Sequence, residues 1–329
     1  AFEDCSSLSN VTFPNTLKNI DLYAFLGAAI SGELVIPDSV ESIGNSSFSN
    51  CTNISKVIIG NSLKTISGTF GIDYNAFEFC SNLKEFEVKS GNSYFSSQDG
   101  ILYSKDKSKL ILAPYGYEVN DLYVPNGVKE IGDYSFINCS KIKGSLYLPE
   151  GLKSIGRQSF SYCGISGEVN IPSSVTSINQ TFFSGVENVT KINVDSNNLN
   201  YSSQDGILYN KDKAELIKAP EGLTINNLTL PDSLKVIDNS ALSDCRNITG
   251  TLTLNDNLET IKESAFYGCS GISGTVVMPE SVKTVEGLIF RSCGGIQNIK
   301  CRATSKPDGW NNDWKYGCKA TVEWGYTGN

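Results

Sequence analysis

Apolar residues along this chain fall into short alternating triplets, such as Leu34-Val35-Ile36, Leu122-Tyr123-Val124 and Leu146-Tyr147-Leu148. In an extended strand successive side chains point to opposite faces. The first and third residues of each triplet therefore face a core and the middle one faces out. A proline usually follows, and with no N–H to give to a ladder it ends the strand. In the segment from Leu34, Val40 and Ile43 then return to the core from the opposite wall, and Phe48 and Cys51 fill its middle. Laid under one another, LVIPDSVESIGNSSFSNC (34–51), LYVPNGVKEIGDYSFINC (122–139), LYLPEGLKSIGRQSFSYC (146–163), LTLPDSLKVIDNSALSDC (228–245) and LTLNDNLETIKESAFYGC (252–269) keep this frame.

Triplets begin at Val11, Leu34, Val57, Phe86, Leu122, Leu146, Val169, Ile192, Leu228, Leu252, Val276 and Ile299, with most steps 23 or 24 residues. Self-similarity at such a period marks a stacked repeat array, because one unit cannot bury its apolar face without neighbours. Strands about 4.8 Å apart would make twelve units a sheet of roughly 55 Å. One 29-residue step holds extra residues around GIDYNA (71–76). Two 36-residue steps carry FSSQDGILYSKDKSKLILAP (95–114) and YSSQDGILYNKDKAELIKAP (201–220), which align without gaps at an offset of 106. Each insert reads as a projecting β-hairpin: an ILY strand and a Leu-Ile strand around Lys-Asp-Lys, opened by Asp-Gly. The pair would either grip a partner or simply close a longer loop.

Frames such as IPDSVESIGNSSFSNCTNI (36–54) resemble the BspA-type leucine-rich repeats of bacterial surface proteins, which are also abundant in some parasitic protists. The resemblance covers essentially the whole chain. It departs at NQTFF (179–183), where Val186 stands in the cysteine position, and at Ala28 in the first full repeat. The fold it implies is a right-handed, α/β-type but β-rich leucine-rich-repeat superhelix of about 12 repeats, one solenoid over 1–329. The two inserts and a C-terminal cap at 302–329 complete it. The role it implies is adhesion at the cell surface or outside the cell, including binding to matrix proteins and to other cells.

Composition narrows the chemistry. The chain carries a net charge of −8 and scattered lysines, whereas nucleic-acid affinity comes from clustered Lys and Arg. Nucleic acid is therefore not an expected partner. No apolar run approaches the ~18 residues of a membrane span, so this segment is not expected to insert. Histidine is absent, which removes the commonest general base and transition-metal ligand. No phosphate loop, dinucleotide turn, nucleophile elbow or paired C-x-x-C stands in the sequence. No enzyme, metal or cofactor is expected.

Cys5, Cys51, Cys80, Cys139, Cys163, Cys245, Cys269 and Cys293 share one slot. A metal or redox ladder is one reading; a column of small buried thiols is the favoured one. Cys301 and Cys318 lie outside the slot, and a bond between them is left open. The sequence begins inside a repeat, at the Phe2 and Cys5 half of the frame, as a segment of a longer protein would. All three tryptophans, Trp310, Trp314 and Trp324, fall in the last twenty positions, as a hydrophobic cap or as a sugar-binding patch, with ATVEWGY (320–326) as a closing strand.

For binding, the outward middle residues of the triplets matter most, since solenoids present extended surfaces to ligands. From Glu87 through Tyr123, Tyr147 and Asn170 to Asn193 they mix an acid, aromatics and amides, and this stretch is the expected partner-binding patch. Tyr–Tyr packing across strands could equally serve the sheet alone. Three functions follow: a protein-binding adhesion module, a spacer holding another domain outward, and a carbohydrate-binding module using the tryptophans or tyrosines.

Overall fold

The computed structural model describes residues 1–67 and 75–328, so residues 71–74 of the GIDYNA segment lie outside the described residues. The chain is a β-solenoid of about 13 turns. The thirteenth triplet lies in the segment read as a cap: Thr321–Trp324 pairs in parallel with Ile296–Cys301, with Val322 on Ile299. Two compact units make up the chain, Ala1–Ile165 with Ser177–Gly185, and Ser166–Thr176 with Val186–Asn329.

In the first unit the triplets form a parallel ladder of Gly32–Val35, Ile54–Ile59 and Glu85–Val88, and a second of Leu122–Tyr123 with Leu146–Tyr147. Like stacks on like: Leu34 on Val57, Val57 on Phe86. Another set of ladders uses strands of only two residues. Asn19–Ile20, Ser42–Ile43 and Thr65–Ile66 pair in parallel, and each aims its isoleucine inward. In the second unit the triplet ladders are Gly167–Ile171 with Val189–Val194, Ile225–Thr229 with Ile248–Thr253, and Gly274–Met278 with Ile296–Cys301 and Thr321–Trp324.

The expected α/β character is corrected. No helix is present among the described residues. The segment around each Phe-x-x-Cys is a tight turn whose N–H groups bond to the next turn, where a helix would bond within itself. Tyr23, Phe25 and Gly27 donate to the carbonyls of Asn45, Ser47 and Ser49 at 3.2, 2.7 and 2.8 Å. Residues four apart enter the left-handed region to bring this about: Ser46 and Asn50 have φ of 50° and 59°, Tyr134 and Asn138 59° and 58°. Every backbone donor must go somewhere, and here stacking claims donors that a helix would use.

Inside, the phenylalanines form a column. Phe25 and Phe48 stack at 5.3 Å and 2°, Phe48 and Phe77 at 5.5 Å and 4°, and Phe136 and Phe160 at 5.3 Å and 5°. The cysteine slot runs beside it as buried free thiols, Cys5 alone being half-buried, and Cys301 and Cys318 are likewise free and buried. Several slot thiols reach back one turn: Cys51 donates to the Phe25 carbonyl at 3.0 Å, Cys269 to that of Leu242 at 2.9 Å and Cys293 to that of Phe266 at 2.9 Å. Burial pushes the Cys51 thiol up to about 11 and those of Cys163, Cys245 and Cys293 up to about 12. Only the thiolate alkylates readily. At pH 8 the native protein should therefore lose Cys5 to iodoacetamide first, and the slot thiols only as the protein unfolds. Site-resolved mass spectrometry reads this out, and native labelling of Cys269 at the rate of Cys5 would refute it.

The inserts do not project as free hairpins. Each is a three-stranded meander laid into the solenoid wall. Phe95–Gln98, Ile101–Ser104 and Lys109–Leu112 run antiparallel to one another, and the last continues in parallel onto Glu130–Ile131. Tyr201–Gln204, Ile207–Asn210 and Glu215–Lys218 repeat this before Val236–Ile237. The Asp-Gly turns have φ of 50° and 78° in the first insert and 54° and 80° in the second, the left-handed pair that a two-residue hairpin demands. Leu102, Tyr103, Leu208 and Tyr209 are buried.

Candidate binding surface

Strand parity puts the expected partner-binding residues outward, and the structure sorts them into local groups. Tyr123 and Tyr147 are paired in register on adjacent parallel strands. Their rings stack at 4.4 Å and 3° while remaining 64% and 46% exposed. Two large aromatic surfaces are thus held in a fixed orientation with their outer sides in water. Partial desolvation, then the neighbouring Tyr147, raises the Tyr123 hydroxyl above its ordinary value.

Glu87 lies on another strand of the same unit and already has a partner: Lys56 reaches it at 2.5 Å and Glu85 at 3.3 Å. The hydrogen bond to Glu87 raises the Lys56 ammonium. In the second unit, Asn170 and Asn193 are register partners, and the Asn193 amide donates to Asn170 at 3.2 Å and to Glu168 at 2.9 Å. Lys191 closes this group on Glu168 at 3.0 Å and, with Asn193, holds that carboxyl below its usual range. The structure brings the two tyrosines together, and the two asparagines together, in different units. Glu168, Lys191 and Lys56 belong to these groups and were not singled out by sequence. The signal was available two positions before each middle residue.

Other outward surfaces are occupied by their own pairs. Beside the two-residue strands, Glu41 bridges Lys18 and Lys64 at 3.1 and 2.7 Å, and Lys262 bridges Asp238 and Glu215 at 2.9 and 3.4 Å. The exposed pairs of Glu41 contribute little stability, whereas Asp238 is buried. On the turns, the Arg291 guanidinium lies 5.8 Å from the rings of both Tyr267 and Tyr316.

Among the tryptophans, Trp310 and Trp314 are buried and meet edge to face at 5.1 Å, and the Trp310 indole donates to the Val282 carbonyl at 3.2 Å. Their ring faces are taken, so sugar stacking on them is corrected to core packing. No group of three or more metal-ligating side chains is found among the described residues, and no described helix is long and apolar enough to cross a membrane.

Residues 1–98, 114–227 and 218–307 match the BspA type leucine rich repeat region, in six copies. No curated protein matches the chain. Among solved structures, a leucine-rich repeat protein from Eubacterium ventriosum is similar over 100% of this chain and 80% of its own, with 21% identity and a TM-score of 0.58. A leucine rich cell surface protein from Faecalibacterium prausnitzii is similar over 98% of this chain and 86% of its own, at 18% identity and a TM-score of 0.51. At these identities the likeness speaks for the fold.

Proposed function

Because the chain belongs to the BspA-type leucine-rich repeat family, we propose that it is a non-catalytic protein-binding module that works at the cell surface or outside the cell and adheres to matrix proteins or other cells. The observation that carries this reading is the stacked, exposed pair Tyr123 and Tyr147. Energetically dominant interface positions are enriched in tyrosine, and a pre-stacked pair gives up little side-chain freedom on binding. Glu87, Asn170 and Asn193 would contribute adaptable polar contacts within their own units. Absence of histidine and the pairing of Glu87 and Glu168 with lysines leave no free acid–base couple on these strands, which supports recognition over catalysis.

The test is a binding screen of the purified chain against immobilised matrix proteins, followed by Tyr123→Ala and Tyr147→Ala. Saturable binding that weakens at least about tenfold in each variant, with unchanged thermal unfolding, is the expected result. Binding untouched by both substitutions would remove the tyrosines from the site. No saturable protein binding at all would favour the spacer.

A further inference from the structure

The triplet ladders of the second unit are interrupted where the insert enters. Val189–Val194 pairs with Gly167–Ile171, and Ile225–Thr229 pairs with Ile248–Thr253, but the two pairs are not joined to each other. The outgoing edge of the earlier strand is satisfied by the insert: Ile192 donates to the Gly206 carbonyl at 2.9 Å and Val194 to the Ser203 hydroxyl at 3.0 Å. Among the described residues no strand pairs with the incoming edge of Ile225–Thr229. In a parallel ladder a strand uses alternate residues on each side, so this edge presents backbone N–H and C=O groups that no ladder takes up. A groove of about 780 Å³ lies along it, lined among others by Thr190, Lys191, Asp205, Gly206, Leu223 and Thr229.

The first unit carries the same interruption 106 residues earlier, where Tyr117 and Tyr123 stand in place of Leu223 and Thr229. Burial, then the nearby Asp99 carboxylate, raises the Tyr117 hydroxyl. The second groove thus carries the smaller side chains of the two. Its charge is also one-sided. The Lys191 ammonium is engaged by Glu168 at 3.0 Å, whereas Asp205 is exposed and has no ion-pair partner among the described residues.

We propose that this groove, built wholly from the second unit, is a strand-addition site that binds an extended peptide segment of another protein bearing a basic side chain beside Asp205. Main-chain hydrogen bonds to Ile225–Thr229 supply affinity, as in other sheet-edge recognition, while Asp205 and the apolar Leu223 of the lining select the side chains. The site is separate from the tyrosine pair, and either can fail without the other.

The probe is the capped hexapeptide acetyl-TVTVKV-amide, compared with its Lys→Glu counterpart and with one N-methylated at alternate backbone nitrogens. Titration into the ¹⁵N-labelled full chain should give saturable shifts centred on Gly206 and residues 225–229. The Glu peptide should bind at least about tenfold more weakly, and the N-methylated peptide not at all. Thr229→Tyr, which installs the residue the first unit already carries there, should abolish binding without changing the unfolding midpoint. Asp205→Asn should keep binding but remove the Lys preference. No saturable binding up to millimolar peptide, equal binding of the N-methylated peptide, or shifts confined elsewhere would overturn the proposal. So would concentration-dependent self-association of the chain that disappears in Thr229→Tyr, which would make a second copy the occupant.

Discussion

Replacing Asn198 by alanine should destabilise the second unit by about 3 kcal/mol, a large loss for a single polar side chain. The reason lies in four hydrogen bonds made by one fully buried amide. Its nitrogen donates to the carbonyls of Pro172 at 2.9 Å and Val175 at 3.0 Å, and its oxygen accepts from the N–H groups of Asn200 at 2.9 Å and Tyr201 at 2.8 Å. Asn92 does the same in the first unit, donating to Gly60 and Leu63 and accepting from Tyr94 and Phe95. Each asparagine ties the start of a meander to the preceding turn where no ladder strand is available. Alanine leaves two donors and two acceptors without this partner, the Pro172 and Val175 carbonyls in buried surroundings, and an unmet buried group costs about 1–3 kcal/mol. Asn198→Asp keeps the acceptor but loses both donors and buries a charge, so it should be no better than alanine. Urea unfolding of the two variants measures this; a midpoint within error of the wild type for Asn198→Ala would show that water replaces the amide.

These asparagines also mark where the sequence stopped being legible. The inserts align at 95–114 and 201–220, yet Asn92 and Asn198 stand just upstream, in runs rich in Asn and Ser that look like surface turns. A polar residue at 0% exposure announces itself only when four partners are already known. The triplet strands were readable because their period of two is unmistakable over three residues, repeated at a fixed step. The two-residue strands such as Ser42–Ile43 are too short to show a period, and only their isoleucines gave them away as core.

The α/β expectation came with the family resemblance, and the reason the structure departs from it is local. Phe and Cys three residues apart would share one face of a helix, but the turn residues that take left-handed φ include Ser, Asn, Tyr, Gln and even Leu288, at φ of 62°, with glycine at only some of the turns, such as Gly27 and Gly268. The stack imposes those dihedrals by taking the backbone donors for the neighbouring turn. For the candidate surface, strand parity placed Tyr123, Tyr147, Asn170 and Asn193 outward and adjacent in pairs. Which of them were already engaged depended on Glu168, Lys191 and Lys56, whose side chains cross between strands.

The column of rings offers the largest effect of all. Phe48→Ala should cost about 4 kcal/mol, at the upper range for a buried aromatic truncated to alanine. Phe48 is fully buried and is stacked on both sides, by Phe25 and by Phe77. Its loss opens a cavity that cannot close, because the spacing of the turns is set by the ladders on either wall and not by the ring. Both flanking interfaces are weakened together, and repeat proteins are held by such nearest-neighbour interfaces. Phe2→Ala removes a ring of the same column that is 46% exposed and stacked on Phe25 alone, so its cost should be less than half as large. Phe48→Leu should restore most of the lost stability by filling the space. A cycle with Phe25→Leu would then isolate the stacking contribution, about 1 kcal/mol for an offset aromatic pair. Hydrogen exchange should show the damage concentrated in the turns that carry Phe25, Phe48 and Phe77. Equal destabilisation by Phe2→Ala and Phe48→Ala would mean that the ladders, and not the ring column, hold these turns together.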